Sequence, residues 1–257
     1  MGGGAPLEPA ALVRRVTFPV AVAVAVVVAA AWYATWSSAD VLTALMTPST
    51  FAPKEVALFF ALLVVMMVAM MLPSALPMIL AYRGLTRLEA GRIVKPPDVL
   101  GTFAFVVPYF LVWGAFGVAA LFALIALGTL GPSTGAVVLV PAATLIVAGA
   151  WQATRTKQVC LKHCTSPMGF VMHHWRSGRL GAMRMGLRHS LYCVGCCWLF
   201  MLVLFISGSM SLLWMAGLSA VIFGEKLGVR ALLFSRAIGV LLVVLGVVVA
   251  ASARLAM

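Results

Sequence analysis

The sequence predicts an all-α fold, a polytopic transmembrane helical bundle of six or seven spans. Composition is the first sign: of 257 residues, 64% are hydrophobic and only 9% charged, with a mean hydropathy of +1.13. Soluble domains run at about 45–50% apolar and about 25% charged, so this chain carries more apolar surface than an aqueous fold can hide. The same figures exclude a disordered chain, which is polar and highly charged. The second sign is a series of seven apolar runs close to span length. The third is the placement of the basic residues between them.

A crossing needs about 20 apolar residues, because a helix rises about 1.5 Å per residue through about 30 Å of hydrocarbon. The first run, Val16–Trp36, follows Arg14-Arg15. Ala29 and Ala31 give it the A-x-A ending of a signal peptide, but it continues to Trp36 and reads as an anchor. Before it, residues 1–15 read as a flexible cytoplasmic tail, since Met1–Ala11 holds three glycines and two prolines. The next runs are Val56–Ala81, Leu100–Leu127, Ala136–Trp151 and Leu191–Ser207. The sixth, Ser209–Phe223, is short and softened by Gly208 and Gly217, so it reads as a full crossing or as a re-entrant partner. Ala237–Ala251 completes the series, and residues 16–257 form one transmembrane domain.

Lys and Arg mark loops retained in the cytoplasm. Arg14 and Arg15 precede span one; Arg83, Arg87, Arg92 and Lys95 follow span two. Arg155, Lys157, Lys162, Arg176, Arg179, Arg184 and Arg188 lie in the long connection after span four, and Lys226, Arg230 and Arg236 flank span seven. Sixteen of the 18 basic residues thus fall on one side, leaving Lys54 and Arg254 outside. With an N-terminus in the cytoplasm, the formal charge of +12 reads as topology and attraction to anionic lipid, and not as nucleic-acid binding. No nucleotide-binding fingerprint, internal repeat or catalytic constellation is visible, which argues against an enzyme. No charged side chain sits in the middle of a run, which argues against a proton-coupled transporter.

All five cysteines lie between Cys160 and Cys197. Cys160-x-x-His163-Cys164 sits in a predicted cytoplasmic Cys/His loop near 154–190, and Cys193-Val194-Gly195-Cys196-Cys197 opens span five. Both sets are spaced i, i+3, i+4, positions that share a helix face. His189 extends the second face one turn upstream. A lone cysteine in a membrane helix usually just packs. Two matched triplets with histidines favour a metal site, and thiolate with imidazole suits Cu(I) or Zn(II). The nearby Arg155, Lys157, Lys162 and Arg188 favour thiolate formation. His173-His174 reads as interfacial polarity, since adjacent helical residues point about 100° apart. Cys193-x-x-Cys196 also has dithiol spacing, which keeps a thiol–disulfide oxidoreductase as an alternative.

Span two carries Met66-Met67-Val68-Ala69-Met70-Met71-Leu72-Pro73, then Pro77 and Met78. Packing explains most methionines at helical spacing, while a thioether ladder for Cu(I), including Met70 and Met71, is the functional reading. The prolines free backbone carbonyls, which need partners inside the protein, so this stretch should face the bundle interior. Glu225-Lys226 reads as an ion pair or as a carboxylate available to the site.

These motifs together resemble the bacterial predicted metal-binding integral membrane proteins grouped as domain of unknown function 2182. The resemblance runs from about Phe51 to Gly246. It rests on Ala69-Met70-Met71-Leu72-Pro73, Lys157-x-x-Cys160-Leu161-x-x-Cys164-x-Ser166-Pro167, Cys193-Val194-Gly195-Cys196-Cys197-Trp198, Gly208-x-Met210, Trp214-Met215-Ala216 and Glu225-Lys226. Thr165 and Ser211 stand where the family tends to have Arg and Asn. The resemblance implies metal residues at Cys160, Cys164, Cys193, Cys196 and Cys197. The combined expectation is a multi-pass protein of the bacterial cytoplasmic (inner) membrane. It would bind copper, as Cu(I), with zinc the second choice, for acquisition, delivery or service as an accessory subunit. Its partners would be the lipid bilayer and a membrane metalloenzyme complex or metallochaperone, and not nucleic acid. A structural subunit without metal is the remaining alternative.

Overall fold

The computed structural model describes residues 9–41, 53–89, 92–93, 98–129, 134–206, 212–228 and 230–255. They form a helical bundle. In chain order its helices are α1 (Pro9–Ser37), α2 (Pro53–Arg87), α3 (Val99–Thr129), α4 (Thr134–Gln152), α5 (Arg155–Thr165), α6 (Pro167–His174), α7 (Gly178–Ile206), α8 (Leu212–Leu227) and α9 (Ala231–Leu255). Between α2 and α3 lies a minimal antiparallel pair, β1 (Leu88–Glu89) with β2 (Arg92–Ile93), which registers Leu88 with Ile93.

The described part of each of the seven apolar runs falls within a helix. Among the described residues, five helices are long and apolar enough to cross a membrane: Phe18–Ser37, Pro53–Thr86, Val99–Ala120, Gly178–Ile206 and Ala231–Ser252. The apolar part of α4, Leu139–Gln152, is shorter. With 16 residues, α8 reaches about 24 Å, short of the hydrocarbon thickness. The ambiguity over the sixth run therefore has a physical basis in its length. Gly208, Met210 and Ser211 lie outside the described residues.

Two boundaries differ from expectation. Helix α1 includes residues 9–15 of the stretch read as a flexible tail, where Ala10-Ala11-Leu12 favour a helix. The first eight residues lie outside the described part. The 154–190 connection is also helical where a loop was expected. Thr154 caps α5 by accepting from the Lys157 N–H at 3.3 Å. Ser166-Pro167 ends α5 and starts α6, since proline cannot continue a helix but suits its first turn. Gly178 adopts φ +77° and starts α7, thirteen residues ahead of the apolar run. Its early stretch buries Gly181, Ala182, Met185, Gly186, His189 and Ser190, a helical stripe invisible to a hydropathy average.

The core lies among α2, α3, α7 and α8. Met66, Met67, Met70, Met71 and Met78 are buried in it, so the methionine-rich stretch does face inward. The chain stays helical through Pro73 and Pro77. Around these breaks, Ser74 donates to the Met71 carbonyl at 2.8 Å and Ser219 of α8 to the Met70 carbonyl at 3.3 Å. The outer faces expose Phe103, Leu111, Leu213 and Val240, as hydrocarbon requires.

Small residues bring α4 and α9 together. A Cβ at Gly149 would stand 2.5 Å from the Gly239 carbonyl oxygen, and Ser235 donates to the Gln152 side chain at 3.0 Å across the same seam. Gly149→Val should therefore force the helices apart and cost about 1–3 kcal/mol, seen as a lower melting temperature in detergent. Gly217→Ala, where a Cβ meets nothing within 4 Å, should leave that temperature unchanged or raise it.

Candidate metal centre

Helix α5 lies against α7 through an inward face of small and apolar side chains with one buried lysine. Cys160, Leu161 and Cys164 are buried on it, while Lys162 and His163 turn outward. The opposing face of α7 carries Cys193, Gly195, Cys196 and Cys197. The glycine permits the contact: a Cβ at position 195 would lie 2.7 Å from the Cys160 Sγ. Trp151 of α4 closes one side, donating from its indole to the Gly195 carbonyl at 3.2 Å and packing edge-on against Trp198.

All five thiols are free and buried. Cys164 Sγ lies 3.9 Å from Cys196 Sγ, which lies 3.2 Å from Cys197 Sγ. Cys196 also donates to the Cys193 carbonyl at 3.2 Å. Two sulfurs sharing one ion through bonds near 2.3 Å stand about 3.8–4.6 Å apart, depending on the bond angle. The Cys164–Cys196 pair meets that requirement across two helices; the Cys196–Cys197 pair would have to open. Among the described residues, no group of three His, Cys, Asp or Glu side chains stands ready to hold a metal ion. The geometry is that of a sulfur pair with further thiols alongside.

Three charged side chains, all near the cysteines or the site in the sequence reading but with other partners, complete the centre. Lys157 is fully buried, and its Nζ donates to Glu225 Oε2 at 2.7 Å and to the Cys196 carbonyl, 5.0 Å from the Phe200 ring centre. Glu225 thus pairs with a lysine of α5, and not with its neighbour. Lys226, 4% exposed, donates to Cys193 Sγ at 3.1 Å and to Ser74 Oγ at 3.0 Å. Tyr109 of α3 lies 3.4 Å from the same sulfur. Burial opposes the charge on Lys157, but the Cys197 and Cys196 sulfurs and Glu225 outweigh it, so the ammonium keeps its proton above its ordinary range. Burial pushes the Cys160 thiol up, and Lys157 offsets part of that shift. Glu225-Lys226 beside a span end was a sequence signal that named the right residues with the wrong partner.

The histidines separate. His189 is buried on the cysteine side of α7, stacked near Phe105 and Tyr109, and neither ring nitrogen has a hydrogen-bond partner. His163 lies at the surface, stacked on Tyr192 with ring centres 4.1 Å apart, away from the sulfur pair. Met70 and Met71 share the buried core with Cys193, Cys196 and Cys197.

The Lys157–Glu225 pair makes a measurable demand. Lys157→Met should cost about 3–5 kcal/mol by stranding a buried carboxylate, whereas Lys157→Met with Glu225→Leu should recover most of the melting temperature. Because the Lys157 pKa is raised on folding, its contribution is complete below about pH 10.5 and fades only as the pH climbs beyond it. The melting difference between wild type and the double variant should accordingly stay flat from about pH 6 to 9.

No curated protein and no solved structure matches this chain. Residues 60–249 match a protein family described as PpoB2, copper chaperone. That span covers α3 to α8 with most of α2 and α9, and with them every residue of the centre described above. Its copper description agrees with the metal-binding character that the motifs implied. The chain belongs to the PpoB2 copper chaperone family.

Proposed function

We propose that this protein binds copper as Cu(I) within a membrane and hands it on, the thiols of α5 and α7 forming the holding site. The observation that carries this reading is the Cys164–Cys196 pair, 3.9 Å apart on two helices, with a buried lysine on the neighbouring Cys193 sulfur. Two thiolates on Cu(I) carry one net negative charge, and the ammonium of Lys226 is the cation that balances it. Among the described residues, Lys226 makes no ion pair with a carboxylate that would compete for that role. Zinc asks for four donors in a tetrahedron, whereas soft Cu(I) is satisfied by few thiolates, so copper suits this centre better.

Cys197 and Cys193 stand beside the pair as the next thiols for exchange, and Cys160 supports it from α5. Met70 and Met71 contribute soft, adaptable packing to the same core. The basic connections support a centre that faces the cytoplasm of a bacterial inner membrane, where thiols stay reduced. Copper so held would pass to a membrane metalloenzyme or to a carrier protein, with this chain as an accessory subunit.

Anaerobically purified protein titrated with Cu(I) against a chromophoric chelator should take up about one tightly held ion. The Cys164→Ser, Cys196→Ser double variant should lose that ion while keeping its elution profile in detergent. Equal affinity in wild type and the double variant would overturn the reading. So would loss on Cys160→Ser alone with retention in the double variant.

A further inference from the structure

Outside the thiol centre, His163 of α5 and His174 of α6 face one another across a cavity of about 270 Å³ that is also lined by Lys162, His173 and Phe170. Their ring centres are 6.3 Å apart. Each ring is held from its own helix: His163 Nδ1 meets the Val159 carbonyl at 2.9 Å, and His174 Nδ1 meets the Phe170 carbonyl at 3.0 Å. A carbonyl only accepts, so both Nδ1 atoms carry a proton, and in the neutral ring each Nε2 offers its lone pair. His173 is tied in the same way, through Nδ1 to the Gly169 carbonyl at 3.0 Å. This is the outer hydrogen bond that fixes a metal-binding imidazole in its ligating tautomer. Two imidazoles sharing an ion through Nε2, with bonds near 2 Å, put their ring centres about 6 Å apart.

The place of these rings matters as much as their spacing. His163 precedes Cys164 and stacks on Tyr192, which precedes Cys193, so the histidine pair sits where the two cysteine helices meet solvent. His174 is wedged against Phe170 with ring centres 4.6 Å apart, so α6 presents it at a fixed orientation. The expectation that His173-His174 supplies only interfacial polarity takes no account of His163, which comes from a different helix.

We infer that His163 and His174 form a second, two-coordinate Cu(I) site, which receives the ion at the surface before it reaches the thiols. The inference rests on the copper reading of the thiol centre. Transfer is ligand exchange without electron transfer: two copper–nitrogen bonds break, two copper–sulfur bonds form, and the thiol protons leave to water as the imidazole lone pairs are freed. Cu(I) stays Cu(I) throughout. Nitrogen ligation is the weaker hold for so soft an ion, which gives the transfer its direction.

X-ray absorption on the full-length protein loaded with two equivalents of Cu(I) tests this. Wild type should show one sulfur-bound and one nitrogen-bound ion. The His163→Ala, His174→Ala double variant should lose only the nitrogen-bound ion. It should also fill its thiols from a glutathione–Cu(I) donor on the order of 10-fold more slowly, to the same final content. The Cys164→Ser, Cys196→Ser variant should lose the sulfur-bound ion and keep the nitrogen-bound one, so failure of the thiol reading is visible separately. An unchanged ion content or an unchanged rate of uptake in the histidine variant would overturn the proposal.

Discussion

A buried ammonium group is among the most expensive things a helical bundle can hold, costing several kcal/mol unless an anion or strong acceptor meets it. This chain buries two of them around a single turn of α7. Lys157 reaches in from α5 to Glu225 and the Cys196 carbonyl, and Lys226 reaches in from α8 to Cys193 and Ser74. These contacts tie α2, α5, α7 and α8 to one point. Much of the surrounding geometry serves to keep that point closed: the Thr154 cap that starts α5, the missing side chain at Gly195, and the Trp151 indole across the α7 backbone.

Lysine rather than arginine suits such a place. An ammonium is a compact charge whose donors can be shared between a sulfur, a hydroxyl and a carbonyl, without the planar fork that arginine would impose. The centre is thereby positively biased but short of carboxylate. Glu225 leaves one oxygen without a hydrogen-bond partner, and His189 leaves both ring nitrogens so. Unpaired buried polar atoms of this kind cost free energy in a purely structural core. Beside five reduced thiols, they are coherent with a pocket built for a charged visitor.

Much of this was legible in the sequence. The described parts of the apolar runs became helices, and the cysteines were buried on two helices that pack together. The inward-facing methionines followed from the two prolines. What the sequence hid was mostly long-range. Lys157 read as one of four basic residues near the cysteines, but its partner Glu225 is 68 residues away and nothing local announces the pairing. His163 and Cys164 follow Cys160 at three and four residues, yet those positions diverge by about 100° around the helix. Cys164 turned inward, and His163 turned out onto Tyr192. The early start of α7 was hidden because its buried stripe is made of Gly, Ala, His and Ser as much as of apolar residues.

Division of the centre among α5, α7 and α8 also gives it a history. A chain made from its N-terminus presents Cys160 and Cys164 first, on a short helix with no partner. The facing sulfurs follow only after another thirty residues, and the compensating Lys226 comes last, near the end of α8. Packing of α7 brings their facing sulfurs, and only the seating of α8 adds Glu225 and Lys226 beside them. A chain interrupted before residue 225 would keep its cysteines and lose both the carboxylate and the lysine that give them a selective environment.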